Sequence, residues 1–284
     1  MRRSLSENDF TVVSIFVNPT QFAPHEDLSS YPRTLPQDVR ALEAIRVPSQ
    51  RSPSAIFLPT VDVMYPASVA QNVQEQKSTF VEVKGYGEVM EGKSRPTFFR
   101  GVATVVTKLF NAVHPSHAYF GQKDIQQALL LRRMVTDLLM AYPTAETLHI
   151  VPTARSSLSE DGNLALSSRN AYLTPSERSF APALYRALKN GEQLWEEGAS
   201  KADVIRSAYK LLEREIIKAK TAGVDMRIDY VEVNDTDTFE VINSTQSKGD
   251  SNDGKVYILS GALWVGRTRL IDNVLLGDSS KILY

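Results

Sequence analysis

The chain has 284 residues, of which 42% are hydrophobic and 23% charged, with a formal net charge of −1 and no cysteine. This composition is typical of a globular protein with one large or two moderate domains, and it gives no reason to expect a nucleic-acid partner or a membrane surface. Disulfides and thiolate nucleophiles are excluded, and no apolar run approaches the ~20 residues that span a bilayer. We expect a cytoplasmic protein.

The first half of the chain predicts strands that alternate with helices. After a helical or exposed lead-in at 1–9, the apolar run at 11–17 predicts a buried strand. Helical spacing follows over 38–46 and 98–113, with a short strand near 55–58.

A compact βαβ pattern closes this half. A strand at 117–120, a turn at Gly121, a helix over about 123–140 and a strand at 148–152 are joined by short connections. Two strands joined through a helix predict a parallel sheet.

The second half of the chain has a different texture. The polar stretch 156–163 suggests a flexible loop, so we place a domain boundary there and predict domains 1–155 and 156–284. Helices are predicted at 175–196 and 201–220, and strands at 228–233, 255–259 and 262–276. The insert at 243–254 is predicted to be disordered.

Three loop segments carry polar groups suited to a ligand. The strand at 11–17 delivers the carboxamides of Asn18 and Gln21 to a sheet edge, where open α/β folds bind ligands. At Gly121 a strand turns into a helix whose N-terminus attracts anions, and Lys123 adds a full charge on the same helix face as Gln127. An equally good interpretation is that Lys123 and Asp124 are solvated residues of a first helical turn.

The third segment is Leu164–Asn170, where two serines and Arg169 follow the polar loop. These groups suit a polyphosphate, although taken alone the serines are more typical of helix caps. Arg95 and Arg100 flank the start of the helix at 98–113, but surface arginines are common there and the phosphate-loop spacing is absent.

The four histidines give a weaker signal. His114 and His117 flank a proline and do not predict a zinc site, His149 is expected in the core, and His25 lies in a loop without a predicted role. No nucleophile elbow is present.

Taken together, these segments resemble the pantoate–β-alanine ligase family. The matching stretches occur in the family's order and cover nearly the whole chain: FVNPTQF at 16–22, YPRT at 31–34, EGKSRP at 91–96, FRGVATVVTKLFN at 99–111, FGQKDIQQ at 120–127, LALSSRNAYLT at 164–174 and LIDN at 270–273.

The resemblance implies an α/β fold, with a Rossmann-like nucleotidyltransferase domain and a smaller α+β domain that closes like a lid. It implies that pantoate attacks ATP, with Mg²⁺, to give pantoyl adenylate, and that β-alanine then displaces AMP in a homodimeric enzyme. Pantoate and β-alanine would contact Asn18, Gln21 and Gln127. The residues implied for ATP are Gly121, Gln122, Lys123, Asp124, Ala154, Leu166, Ser167, Ser168 and Arg169, with Lys123 and the last three on its phosphates.

The chain also departs from the family pattern. The family's first strand leads into a Met-Gly-x-Leu-His-x-Gly-His turn, whereas residues 1–9 match only the end of the helix after it. The expectation is therefore a parallel sheet without its first strand, and an impaired ATP site. Gln122 stands where glutamate is usual, and Phe98 where histidine is frequent.

Three hypotheses stay open at this point. The chain is a ligase, a substrate-binding or dimerising paralogue without turnover, or a nucleotidyltransferase with another substrate. The glutamines at 21 and 127 argue against the third.

Overall fold

The structure is a computed structural model that describes residues 1–22, 28–29, 31–48, 50–67, 69–70, 72–250 and 254–284. Contacts divide the chain into two compact units. Unit 1 comprises 1–119 and 130–148, and unit 2 comprises 120–129 and 149–284. The predicted domain boundary at 155 stays a prediction. No helix in the described ranges is both long and apolar enough to cross a membrane.

In the described residues, helices separate the strands of the first half of the chain, whereas in the second half three helices precede three strands. The helices are α1 (Arg2–Glu7), α2 (Leu35–Glu43), α3 (Val61–Met64), α4 (Glu91–Ser94), α5 (Phe98–Val113), α6 (Ile125–Asp137), α7 (Pro175–Phe180), α8 (Ala183–Glu196) and α9 (Lys201–Thr221). The strands are β1 (Val12–Ser14), β2 (Ala55–Phe57), β3 (Ala118–Gly121), β4 (Leu148–Val151), β5 (Met226–Asp235), β6 (Tyr257–Val265) and β7 (Thr268–Leu276).

The expected α/β sheet is present as two separate pairs. β1 and β2 are parallel, with Val13 opposite Ile56. β3 is hydrogen-bonded to β4, and helix α6 connects these two strands along the chain.

The prediction of a long buried strand at 11–17 is wrong in both length and burial. β1 covers only Val12–Ser14, and Val12 is 43% exposed. A parallel strand is buried only where neighbours and helices cover it on all sides, and β1 pairs with β2 alone among the described strands.

Helix α5 forms where the apolar spacing predicts it. Its buried side chains include Phe99, Val102 and Val106, and it ends at His114, whose left-handed backbone donates its N–H to the Phe110 carbonyl at 2.8 Å. The left-handed residue satisfies a carbonyl that the last helical turn leaves unpaired.

In unit 2, helices α8 and α9 pack on the antiparallel sheet β5–β6–β7. The core between them contains Leu188, Trp195 and Leu212, and the Trp195 ring packs edge-to-face on Tyr257 with centroids 5.6 Å apart. At Gly191 an added Cβ would lie 2.7 Å from Leu259 Cδ2, so the absence of a side chain lets α8 approach the sheet.

Three predicted segments of this half need correction. The helix predicted over 175–196 is two helices, because Pro182 has no N–H to continue α7. The strand predicted over 262–276 is interrupted by a turn at Gly266, whose φ of +55° glycine adopts without strain. The helix predicted from about 123 begins at Ile125, after a 3-10 turn at Gln122–Asp124.

The insert at 243–254 is also more ordered than predicted. Its Gln246 carbonyl accepts the N–H of Lys201 at 2.7 Å, and Lys248 pairs with Glu196. Residues 251–253 and His25 lie outside the described residues.

Candidate functional site

Asn18 is buried in a network that uses its whole carboxamide. Its Oδ1 accepts from Tyr65 Oη at 2.7 Å and from Thr20 Oγ1 at 3.0 Å. Its Nδ2 donates to the Gly101 carbonyl at 3.1 Å and to Gln21 Oε1 at 3.4 Å. With 2% of its surface exposed, Asn18 is placed to orient Gln21 rather than to contact a ligand in this conformation.

The network keeps the Tyr65 hydroxyl in its donor form. Burial raises the pKa of Tyr65 above its usual value, so the phenol stays protonated and donates to Asn18. Lys108 Nζ lies 4.0 Å from the centre of the Tyr65 ring. Tyr65 was not predicted as a site residue, because nothing in the sequence pairs it with a side chain 47 positions away.

The 3-10 turn Pro19–Gln21 is held against helix α5. Gly101 is so close that an added Cβ would lie 2.5 Å from the Thr20 carbonyl oxygen. Arg95 donates to the Gln21 carbonyl at 3.2 Å while its guanidinium stacks on Phe98. Arg95 therefore supports the backbone of the turn.

The second predicted arginine has a similar supporting role. The Arg100 guanidinium lies 3.7 Å from the centre of the Phe80 ring and donates to Gln76 Oε1 at 2.5 Å. These contacts favour the interpretation of Arg95 and Arg100 as structural residues of unit 1.

In unit 2, Gly121 ends strand β3 and precedes the 3-10 turn at Gln122–Asp124. Its φ of −84° suits any residue, and an added Cβ would meet no protein atom within 4 Å. Neither backbone strain nor packing within the described residues therefore requires glycine at this position. Lys123 is half-buried, and its Nζ lies 3.4 Å from Asp124 Oδ1.

The loop 154–166 folds back on itself and presents the Ser-Ser-Arg segment. Leu166 N–H donates to the Ala154 carbonyl at 2.9 Å, and Arg155 and Ala165 form an antiparallel bridge. Ala154 and Leu166, both implied for ATP by the resemblance, are therefore neighbours, and each is exposed.

Ser167 caps the short 3-10 helix Ser168–Tyr172, because its Oγ accepts the Arg169 N–H at 3.3 Å. The interpretation of a serine as a helix cap is confirmed for Ser167. Asn170 also supports this turn, because its Nδ2 donates to the Ala165 carbonyl at 2.9 Å.

The polar stretch 156–163 is anchored, contrary to the prediction of a flexible loop. Asp161 forms a two-pronged ion pair with Arg178, at 2.6 and 2.7 Å, and accepts from Ser156 Oγ at 2.5 Å. These bonds lower the pKa of Asp161 from 3.8 to about 2.

A small cavity of unit 2 brings three of the predicted phosphate-binding residues together. Its lining includes Lys123, Ser167 and Arg169, together with Arg269 and Asp272 of β7. It encloses about 20 Å³, which is room for about one water molecule. Ser168 and Gln127 are not among its lining residues, and neither is Asn18 or Gln21 of unit 1.

Two neighbouring residues of β7, Ile271 and Asp272, line this cavity. Asp272 binds Arg155 through two hydrogen bonds, of 2.7 and 2.9 Å, and the Arg155 guanidinium stacks on Tyr185 at 3.6 Å. Asn273 bonds to the turn that carries Lys123. The sequence matched LIDN to the family without a role, and only the fold shows what its polar residues contact.

The histidine of β4 occupies a structural position. His149 is buried in β4, and its Nδ1 lies 2.9 Å from the Tyr284 carbonyl, so the expectation of a packed histidine is confirmed. Within the described ranges, no three histidine or acidic side chains gather as metal ligands.

The fold and the two 3-10 segments at the cavity, Gln122–Asp124 and Ser168–Tyr172, define a nucleotidyltransferase-type α/β protein. The family model for pantoate–β-alanine ligase matches residues 1–275, and the chain belongs to that family of ligases.

Curated relatives agree with this assignment. Pantothenate synthetase of Moorella thermoacetica is 46% identical over 275 residues, which are 97% of this chain and 84% of the relative. Pantoate–β-alanine ligase of Saccharomyces cerevisiae is 41% identical over 281 residues, covering 96% and 85% of the two chains.

Solved structures show the same fold. Pantothenate synthetase of Thermus thermophilus superposes with a TM-score of 0.77 at 39% identity, covering 96% of this chain and 86% of that one. A Francisella tularensis pantoate–β-alanine ligase, solved with β-γ ATP and β-alanine, has a TM-score of 0.64 at 29% identity and covers 96% and 82% of the chains.

Proposed function

We propose that this protein joins pantoate to β-alanine at the expense of ATP, through a pantoyl adenylate. The observation that carries the proposal is the cavity of unit 2, where Lys123, Ser167 and Arg169 converge in a chain of the pantoate–β-alanine ligase family. Two cations and a hydroxyl in one place are suited to the charge of a polyphosphate.

In the first step, a carboxylate oxygen of pantoate attacks the α-phosphorus of ATP. The bond from that phosphorus to the bridging oxygen of the β-phosphate breaks, and pyrophosphate leaves with the electron pair. Negative charge grows on the phosphate oxygens in the transition state, so Lys123 and Arg169 would stabilise it electrostatically while Ser167 and Ser168 donate hydrogen bonds.

In the second step, the neutral amine of β-alanine attacks the acyl carbon of the adenylate. The carbon–oxygen bond to AMP breaks, the nitrogen loses a proton to solvent, and pantothenate and AMP are released. AMP is a good leaving group, so the step needs no general acid among the residues assigned here.

Gln21 and Gln127 would bind the hydroxyl and carboxylate groups of pantoate, with β-alanine also near Gln21. A carboxamide offers both a donor and an acceptor and adds no charge beside the reacting carboxylate. Asn18 would act through Gln21, since its own hydrogen-bonding groups are all used inside unit 1.

Gly121, Gln122, Asp124, Ala154 and Leu166 would complete the nucleotide site. The exposed Gly121 leaves room for close approach of the nucleotide, since no protein atom would touch a Cβ there. Asp124 and Ala154 are also exposed. Gln122 is buried, and its Nε2 donates to Asn273 Oδ1, which holds the turn.

The resemblance also supports Mg²⁺ and a homodimer as parts of this proposal. The described residues offer no cluster of three acidic or histidine ligands, so they fit a Mg²⁺ ion held by phosphate oxygens and water rather than by a protein cage. The ion would neutralise charge on the leaving pyrophosphate. Sedimentation equilibrium of the purified chain would test the dimer.

Two assays on the purified chain test the proposed reaction. Exchange of labelled pyrophosphate into ATP should require pantoate, and AMP release should require both pantoate and β-alanine. Lys123→Ala should depress exchange far more than the affinity for pantoate, with the exposed Lys189→Ala as the matched lysine control. Calorimetric binding of pantoate without any exchange would instead favour a paralogue without turnover.

A further inference from the structure

We propose that Asn273 is a positioning residue for Lys123, acting from the C-terminal sheet on the turn that carries the lysine. The inference rests on the proposed function and adds to it a residue outside the two nucleotide-binding segments. Both side chains belong to unit 2.

The geometry uses every hydrogen-bonding group of the Asn273 side chain. Its Nδ2 donates to the Gln122 carbonyl at 2.9 Å and to the Lys123 carbonyl at 3.0 Å. Its Oδ1 accepts from Gln122 Nε2 at 3.2 Å. Only a carboxamide of this length supplies two donors and one acceptor at these positions.

The contact is buried and its support is rigid. Asn273 is 2% exposed and Gln122 is 9% exposed, so both side chains are largely shielded from bulk water. The backbone of Asn273 lies in β7, opposite Ser260 of β6, inside the three-stranded sheet. A turn bonded twice to a sheet residue has little freedom to shift its carbonyls.

The consequence for chemistry follows from what the turn carries. Lys123 lines the same cavity as Ser167 and Arg169. The 3-10 turn that carries Lys123 leads into the N-terminus of α6. A cation stabilises a developing charge only if it is already in place, because reorganisation during the reaction costs free energy. Asn273 would fix the two peptide groups that flank Lys123.

The gap between this residue and its target explains why the sequence does not indicate it. Asn273 and Lys123 are 150 positions apart. The motif LIDN matches the family pattern, but it contains no residue type that by itself predicts a phosphate site.

The chain offers a matched control in Asn234. This asparagine is buried in the same sheet, at 1% exposure, and its Nδ2 donates to the Phe239 carbonyl at 3.0 Å. It does not line the cavity that Lys123, Ser167 and Arg169 share. Asn234→Ala therefore removes a comparable buried carboxamide without touching the Lys123 turn.

The test compares Asn273→Ala, Asn273→Asp and Asn234→Ala in the full chain. Asn273→Asp keeps the shape and places an acceptor against two carbonyls, so it serves if the alanine variant fails to fold. We expect the kcat of pantoate-dependent pyrophosphate exchange to fall by about tenfold or more in both Asn273 variants, given how strongly small misplacements reduce rates. The KM for pantoate should change less than the kcat, because Gln127 lies in α6, beyond the two carbonyls that Asn273 holds.

A double-variant cycle separates positioning from general weakening. In a Lys123→Ala background, Asn273→Ala should have less than about a twofold further effect, because the group that it positions is already gone. An undiminished effect in that background would overturn the proposal, and so would equal losses in Asn273→Ala and Asn234→Ala.

Amide hydrogen exchange gives a readout that does not depend on activity. Asn273→Ala should raise the exchange of 121–125 while Asn234→Ala leaves it unchanged. Unchanged exchange in Asn273→Ala would overturn the inference. A wild-type chain that catalyses no pyrophosphate exchange would contradict the proposed function, and the protection of 121–125 would then still decide whether Asn273 holds the turn.

Discussion

Gly101 of α5 lies directly against the backbone of Thr20 in unit 1. A Cβ at Gly101 would lie 2.5 Å from the Thr20 carbonyl oxygen and 2.8 Å from the Gln21 nitrogen. Backbone atoms cannot swing aside as a flexible side chain can, so the packing of α5 against the Pro19–Gln21 turn depends on the missing side chain.

Gly101→Ala should displace the Pro19–Gln21 turn and weaken the protein. We expect a loss of about 1–3 kcal/mol in the free energy of unfolding, which is typical of overpacking. The KM for pantoate should rise because Gln21 moves. Urea unfolding and initial-rate kinetics measure the two effects, and wild-type values for both would show that the helix shifts without consequence.

Gly121→Ala should have the opposite pattern of effects to Gly101→Ala. Its backbone φ is −84° and its Cβ would meet no protein atom, so alanine should leave the unfolding free energy unchanged or raise it by about 0.4–1 kcal/mol. The KM for ATP should nevertheless rise several-fold, because the added methyl group lies where the nucleotide approaches. An unchanged KM for ATP would remove Gly121 from the nucleotide site.

Tyr65→Phe tests the network beneath Gln21. The change removes the 2.7 Å hydrogen bond to Asn18 and keeps the ring on which Lys108 stacks. We expect a stability loss of about 1 kcal/mol and a higher KM for pantoate, with the KM for ATP unaffected. Tyr209→Phe, whose hydroxyl accepts from Val231 N–H at 3.3 Å in unit 2, is the control and should leave both KM values at the wild-type level.

Acid should weaken the loop that presents Ser167 and Arg169. The pKa of Asp161 in the folded chain is about 2 instead of 3.8, chiefly because Arg178 and Ser156 hydrogen-bond its carboxylate. The ionised form is therefore favoured by folding, and its contribution is complete above about pH 4 and lost as the pH falls towards 2.

The measurement is the melting temperature of wild type and Asp161→Asn between pH 7 and pH 2. The difference between the two should shrink as the pH falls from about 4 to 2, because the carboxylate is protonated near pH 3.8 in the unfolded chain but only near pH 2 in the folded chain. Asp137→Asn, a change at an exposed position near the end of α6, is the control. A difference that stays constant down to pH 2 would contradict the assigned role of the ion pair.

Local signals predicted the elements that are controlled by nearby residues. The apolar spacing of 98–113 matches α5 at both ends, and the Thr174–Glu177 start of α7 forms a capping box. Two of the failures lie at single residues: Pro182 divides a predicted helix, and Gly266 divides a predicted strand.

The site was predictable only in part, because its residues were identified by type and position but not by contact. The structure brings Lys123, Ser167 and Arg169 to one cavity, as the motifs indicated. The sequence could not show that Asn18 is fully bonded inside the protein, or that Tyr65 and Asn273 support the segments that carry Gln21 and Lys123. Those relationships depend on side chains brought together over 47 to 151 positions.

The shortness of the β1–β2 pair has a consequence for the order in which the chain loses structure. Strands of three residues with partly exposed side chains form a marginal sheet, whereas β5, β6 and β7 are long and mostly buried. The segment that leads to Asn18 and Gln21 should therefore be among the first to open on heating. A small acid bound there would stabilise the weakest part of the fold by mass action, so pantoate should delay the earliest phase of melting more than the last.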